Sequence, residues 1–144
     1  MKILIINGPN LNLLGEREPE IYGHDSLDDV NAWIKEQPQA ATHRLYFYQS
    51  NHEGDLIDFM QGHRYSADGI IINPGGLTHY SVALRDAIVA CQIATVEVHL
   101  SDVHAREDFR KISMITDVCI EQISGQGKLG YLQALELLTK QKDL

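Results

Sequence analysis

The chain is 144 residues long, which fits a single domain spanning residues 1–144; a chain of that size buries about two-thirds of its unfolded surface without disulfide or metal staples. Hydrophobic residues make up 44% and charged residues 22%, a globular balance that excludes a disordered chain. The formal net charge of -8 argues against non-specific nucleic-acid binding, which needs a basic surface, yet leaves room for a small anionic substrate held by a local cluster of cations.

In chain order, Ile3-Leu4-Ile5-Ile6 predicts a buried first strand. The apolar run from Met1 breaks at Asn7-Gly8-Pro9, too short for a secretion signal or a span of about 20 residues, so a cytoplasmic location is expected. A helix is predicted over Ser26–Gln37, with Ser26 and Asp29 spaced as a capping box. Leu45–Tyr48 reads as the second strand, Gly54–Tyr65 as a helix and Gly69–Ile72 as the third strand. The next helix, Ser81–Cys91, repeats apolar residues at Val82, Leu84, Ala87, Ile88 and Cys91. Val96–Leu100 is the fourth strand, Ala105–Ile112 a short helix, Val118–Ile123 the fifth strand and Leu129–Lys142 the closing helix. Strands that alternate with helices, several of them apolar throughout, imply a parallel sheet covered on both faces. Cys91 and Cys119 form no Cys-x-x-Cys motif and read as buried thiols in a reducing compartment.

The chemistry-bearing residues gather just after the strands. Asn7-Gly8-Pro9-Asn10 follows the first strand, Asn73-Pro74-Gly75 with Thr78-His79 follows the third, and Glu97-Val98-His99-Leu100-Ser101 closes the fourth, with Arg106 and Arg110 beyond. Ligands in parallel sheets bind at the carboxyl ends of strands, so these segments should meet in one crevice. The segment Gly15–Gly23, holding Arg17 and Tyr22, is long for a connection and reads as a binding loop or lid. Glu97 and His99 share one strand face because side chains alternate with period two. Gly125-x-Gly127-x-x-Gly130 mimics a dinucleotide fingerprint, but too little chain follows for the second strand and its ribose-binding acid. It reads as a tight turn. His99 with His104, or His43 with His52, lack the spacing of a metal site, and Ser81 near His79 and Asp86 looks like a helix start rather than a nucleophile.

At these residues the sequence resembles the type II 3-dehydroquinate dehydratases. The blocks are Asn7-Gly8-Pro9-Asn10-Leu11-Asn12, Gly15-x-Arg17-Glu18-Pro19-x-x-Tyr22-Gly23, Gln49-Ser50-Asn51-His52-Glu53-Gly54, Ile72-Asn73-Pro74-Gly75 and Glu97-Val98-His99-Leu100-Ser101. The resemblance implies an α/β, flavodoxin-like three-layer sandwich with a five-stranded parallel sheet. It also implies a homo-oligomer, a dodecamer of trimers, and no cofactor. The implied reaction is the elimination of water from 3-dehydroquinate through an enolate, in aromatic biosynthesis or quinate breakdown. Tyr22 matches the proton-abstracting tyrosine, Arg17 its supporting arginine and His99 the general acid with Glu97 beside it, while Asn10 lies near the reacting centre. Asn73, His79, Asp86, Arg110 and the backbone of Leu100 and Ser101 match substrate-binding positions, with Asp86 reaching the site from a neighbouring subunit; Arg106 lies near and contributes charge. Gly76, Leu77, Tyr80, Asp102 and Lys111 depart from the commoner pattern, and none is assigned to the chemistry.

The residues suit that chemistry. A free phenol has a pKa near 10, so a tyrosine base needs a cation close by, and Arg17 is the nearest in sequence. An imidazole can protonate a leaving hydroxyl, and the planar fork of Arg110 suits a carboxylate. A lysine Schiff-base route is disfavoured, because Lys2, Lys35, Lys111, Lys128, Lys140 and Lys142 all lie outside the strand-end blocks. The alternative is a non-catalytic flavodoxin-like binding or signalling domain. It would need a strand-end phosphoacceptor Asp or a phosphate-cradling first loop, and the first loop has neither.

Overall fold

Alternation along the central strands decides the layering. In the computed structural model, which describes residues 1–144, β1 runs Lys2–Asn7, β2 Arg44–Gln49, β3 Gly69–Asn73, β4 Thr95–His99 and β5 Glu121–Ser124. The strands form one parallel sheet in the order β2-β1-β3-β4-β5. Ile3 and Ile5 of β1 point to one face and Leu4 and Ile6 to the other, all fully buried. Each such side chain contributes about 1.5–3 kcal/mol on burial.

Ile3 and Ile5 pack with Ile71, Val96 and Val98 against helices α2 (Leu27–Glu36) and α5 (Leu129–Asp143). Leu4 and Ile6 pack with Ile70 and Ile72 against α3 (Glu53–Gly62) and α4 (Val82–Cys91). The result is the three-layer, flavodoxin-like sandwich. Ser26 caps α2 through Asp29 N–H while the Asp29 carboxylate takes Ser26 N–H, completing the capping box. Ser81 caps α4 by accepting from Leu84 N–H, a helix start as its position suggests.

Three stretches differ from the sequence-based expectation. Ala105–Ile112 is not one helix but two 3-10 turns, Val103–Ala105 and Asp108–Lys111. The Asp102 side chain accepts from His104 N–H and starts a turn early, and extended Arg106 and Glu107 separate the two pieces. The fifth strand begins at Glu121 rather than Val118, because Thr116–Val118 forms a 3-10 turn. The long loop after β1 contains a one-turn helix, α1 (Pro19–Tyr22), whose proline occupies a first-turn position where no N–H is needed.

The order of strands places a switch point between β1 and β3. There the loops after the two strands touch backbone to backbone: Gly8 N–H donates to the Asn73 carbonyl at 2.7 Å. A Cβ on Gly8 would stand 2.6 Å from the Pro74 carbonyl oxygen, so only glycine fits. No helix of the chain is long and apolar enough to cross a membrane.

Candidate active site

The carboxyl ends of β1, β3 and β4 enclose a cavity of about 160 Å³. Asn10 reaches it from the loop after β1, Arg17 and Tyr22 from the α1 segment, and Asn73 and His79 from the end of β3 and the turn beyond. His99, Leu100, Ser101, Arg106 and Arg110 complete it from β4 and the following turns. Ten residues singled out from the sequence therefore share one cavity. None of the lysines lines it.

Glu97 stands directly behind His99 and is fully buried. His99 Nε2–H donates to Glu97 Oε1 at 2.6 Å, which leaves Nδ1 as the second ring nitrogen of a residue that lines the cavity. Hydroxyls surround the carboxylate: Thr78 donates to Oε1 at 2.5 Å, Thr116 to Oε2 at 2.6 Å, and Ser113 lies 2.9 and 3.1 Å from the two oxygens. Burial alone would push this carboxyl up. The His99 hydrogen bond and charge, with the Thr116 and Thr78 hydroxyls, more than offset it and hold the pKa at about 2. Beside it, burial and then the charges of Glu97 and Asp117 push the Cys119 thiol up to about 12, so it is no nucleophile.

On the opposite side of the site, Arg106 Nη1–H donates to the Tyr22 hydroxyl oxygen at 2.8 Å. Arg17 lies over the ring instead, its guanidinium carbon 5.1 Å from the ring centroid, and pairs with Glu18 at 3.6 Å. The cation on the phenol oxygen is thus Arg106. The sequence reading expected this support from Arg17, by nearness and by the resemblance; the contact from residue 22 to residue 106 leaves no local signal. Glu107 holds the arginine pair, with Arg110 Nε at 2.7 Å and Arg106 Nε at 3.9 Å.

Polar groups line the remaining wall. The Leu100 and Ser101 carbonyls accept from Gly127 and Gly125 N–H, which anchors the loop, while their own N–H groups have no partner within the chain. The Gly125–Gly130 segment is therefore a tight turn clamping the end of β4; a Cβ on Gly130 would meet Val98 and Ile123 at 3.2 and 3.4 Å. His79 Nδ1–H donates to the Ile112 carbonyl at 2.7 Å, freeing Nε2; burial is the main cause that lowers its pKa. Asn73 Oδ1 accepts from Gly75 N–H.

The family model for class II dehydroquinases matches residues 1–139. The chain belongs to the class II dehydroquinase family. It is 56% identical over 138 residues to the 3-dehydroquinate dehydratase of Roseiflexus castenholzii, covering 96% of this chain and 88% of that one. The Halothermothrix orenii 3-dehydroquinate dehydratase is 52% identical over 137 residues, covering 95% and 93%. The crystal structure of a type II dehydroquinase from Butyrivibrio crossotus is similar with a TM-score of 0.93 at 48% identity, covering 96% and 97% of the two chains.

Asp86 stands apart from the other candidates of this class II dehydroquinase. It is exposed on the outward side of α4 and does not line the cavity of its own chain. The histidine pairs considered as metal ligands do not join a cluster of three His, Cys, Asp or Glu side chains. Sequence reading placed Thr78 beside His79 after the third strand without linking it to Glu97, and it missed Ser113, Thr116 and Gln122. Gln122 meets Glu97 through the pairing of β4 with β5, and Ser113 and Thr116 reach it from the turns before β5, where no local pattern points to a carboxylate.

Proposed function

We propose that the cavity eliminates water from 3-dehydroquinate to give 3-dehydroshikimate through an enolate. As a class II dehydroquinase the chain is a hydro-lyase. The observation that carries the assignment of roles is the pairing of a cation-supported phenol, Tyr22–Arg106, with a carboxylate-held imidazole, His99–Glu97, in one cavity at the strand ends.

Tyr22, as the phenolate, takes the proton α to the ketone, and its oxygen is held by the Arg106 N–H. Electron density moves to the carbonyl oxygen, giving an enolate near Asn10. Collapse of the enolate breaks the bond to the β-hydroxyl, which takes a proton from His99 and departs as water. Glu97 keeps Nε2–H occupied, so the proton given up is the one on Nδ1. At the end Tyr22 holds one proton more and His99 one fewer, and transfer between them resets the site. The N–H groups of Leu100 and Ser101, the Asn73 amide, His79 and the Arg110 fork receive the carboxylate and hydroxyls of the substrate.

Ultraviolet absorbance of the conjugated enone, followed on mixing protein with 3-dehydroquinate, tests the reading. Folded protein that produces no absorbance change overturns it. Borohydride added with substrate should leave the enzyme active, and a reduced adduct on any lysine, seen by mass spectrometry, would replace the enolate route by an imine.

The same proposal includes a homo-oligomer, a dodecamer of trimers in the cytoplasm, in which Asp86 enters the site of a neighbouring copy. Two observations support a partner at this surface. Asp86 points away from its own core, and Tyr80, Val82, Val89, Phe109 and Ile112 are each more than half exposed around α4 and the adjoining turns. Tyr22→Phe and Asp86→Ala chains, refolded as a mixture, should regain activity in about a quarter of shared sites. Mixed oligomers that stay inactive would confine the site to one chain.

A further inference from the structure

Gln122 of β5 is the register partner of Glu97 on β4, so the two side chains share a sheet face. Gln122 Nε2 lies 3.2 Å from Glu97 Oε1 and 3.1 Å from Thr116 Oγ1, donating to both. Its Oε1 accepts from His104 Nε2 at 3.0 Å, at the edge of the sheet. Thr116, having accepted from Gln122, donates its single hydroxyl proton to Glu97 Oε2. The hydrogen bonds therefore have one consistent direction. His104 fixes which end of the Gln122 amide faces inward, and the chain of donors ends on the carboxylate through Gln122 Nε2–H and the Thr116 hydroxyl.

We propose that Thr116 and Gln122, the latter oriented by His104, are positioning residues for His99, acting through Glu97. None of the three lines the cavity. An amide nitrogen does not relay a proton at neutral pH, so the group works by orientation. An ionised carboxylate only accepts, and an accepting Glu97 requires Nε2–H on His99 and leaves Nδ1 for the leaving oxygen. If Thr116 or Gln122 withdraws its donor, the carboxylate loses a fixed orientation, and the imidazole loses its single tautomer.

The inference rests on His99 acting as the general acid, and the test separates the two. Thr116→Val keeps shape and removes the donor, so kcat should fall about tenfold with KM within twofold, the cost of one hydrogen bond to a charged group. Thr116→Ser should restore most of it. In a Glu97→Gln background the same Thr116→Val change should cost almost nothing further, because the residue acts only through Glu97. Nitrogen-15 NMR of labelled His99 reads the tautomer without any turnover: a single Nε2–H form in the parent and a mixture in Thr116→Val. Gln122→Leu, at a half-buried position, is read in the same way with a smaller fall, and it keeps the test open if Thr116→Val does not fold. Folded variants with the parent kcat and a single His99 tautomer would overturn the proposal. So would losses that multiply undiminished with Glu97→Gln, or a rise in KM at constant kcat. A shifted tautomer with unchanged kcat would leave the positioning intact and remove His99 from the acid role.

Discussion

The two walls of the cavity are built to opposite standards. The His99 wall belongs to β4, every residue of which is buried, and its carboxylate takes hydrogen bonds from four other side chains besides His99. The Tyr22 wall belongs to a segment whose single-turn helix buries no residue. That segment turns at Gly15 and Gly23 with φ near +87° and +88° and forces Glu18 to φ +41°, a left-handed conformation costly for a residue with a side chain. His99, the proposed acid, is therefore preorganised by the sheet, and Tyr22, the proposed base, is placed by a few contacts, of which the Arg106 hydrogen bond is the strongest. Such a division suits the proposed lid: the segment that would admit an anion has few buried contacts, and the imidazole proposed to meet the leaving oxygen is fixed by the sheet.

Removing the base should produce the largest effect. Tyr22→Phe deletes only the proton acceptor, so kcat should fall by about 10³, within the usual range for a positioned acid or base, with KM nearly unchanged. A variant that keeps most of its turnover would hand the proton abstraction to another group and dissolve the contrast between the walls.

Glu97→Gln probes the preorganised wall in two ways. A neutral amide no longer imposes Nε2–H on His99, and kcat should fall by about 10². The second readout is stability against pH. Glu97 is held at about 2 against an ordinary 4.5, so the folded chain favours the ionised form; its contribution is complete above pH 4.5 and is lost as pH falls towards 2. For a group with no exposed surface that depression amounts to on the order of 3 kcal/mol. Denaturant unfolding at pH 5 and pH 2.5 should therefore show a smaller loss on acidification in Glu97→Gln than in the parent. Equal losses would mean that the carboxylate is not stabilised by its donors.

Arg106→Gln against Arg17→Gln compares the two cations at Tyr22, one from the turns after β4 and one from the lid segment itself. Arg106 donates to the phenol oxygen and Arg17 only covers the ring, so the first should lower kcat about tenfold more than the second, whose effect should fall on KM. The reverse order would return the supporting role to Arg17.

Much of this was legible in the sequence because it is local. Alternating Ile3-Leu4-Ile5-Ile6, the Ser26–Asp29 capping box and the shared face of Glu97 and His99 follow from spacing alone, and the strand-end rule gathers the polar blocks after the strands into one cavity. What was not legible depends on register or on distant contacts. Gln122 meets Glu97 only because β5 pairs with β4 at that offset, and a shift by one residue would turn it to the other face. Arg106 reaches Tyr22 only because the helix expected over Ala105–Ile112 is broken into two turns, which re-aims its side chain. The role proposed for Asp86 likewise depends on a second chain, which no local pattern can show.

The smallest expected effect is the most direct measure of the loosely held wall. The peptide bond after Arg17 lies beyond the buried Leu14, in a segment whose aliphatic side chain, Ile21, is 37% exposed. Opening that segment breaks few buried contacts, so an arginine-specific protease should nick it through local opening rather than global unfolding. A bound anion changes the balance: Arg17, Arg106 and Arg110 all line the cavity, and a carboxylate there adds charge-assisted hydrogen bonds that exist only when the segment is closed. Saturating 3-dehydroshikimate should therefore slow cleavage after Arg17 several-fold, in line with stabilisation of the closed state by ligand in excess of its dissociation constant. Arg64, at the end of α3 and outside the cavity lining, is the internal control, and cleavage after it should be unaffected. Equal protection at both bonds would mean that the ligand tightens the whole molecule. No protection at Arg17 would mean that the Tyr22 wall is already as fixed as the His99 wall, and the contrast between them would have to rest on chemistry rather than on mobility.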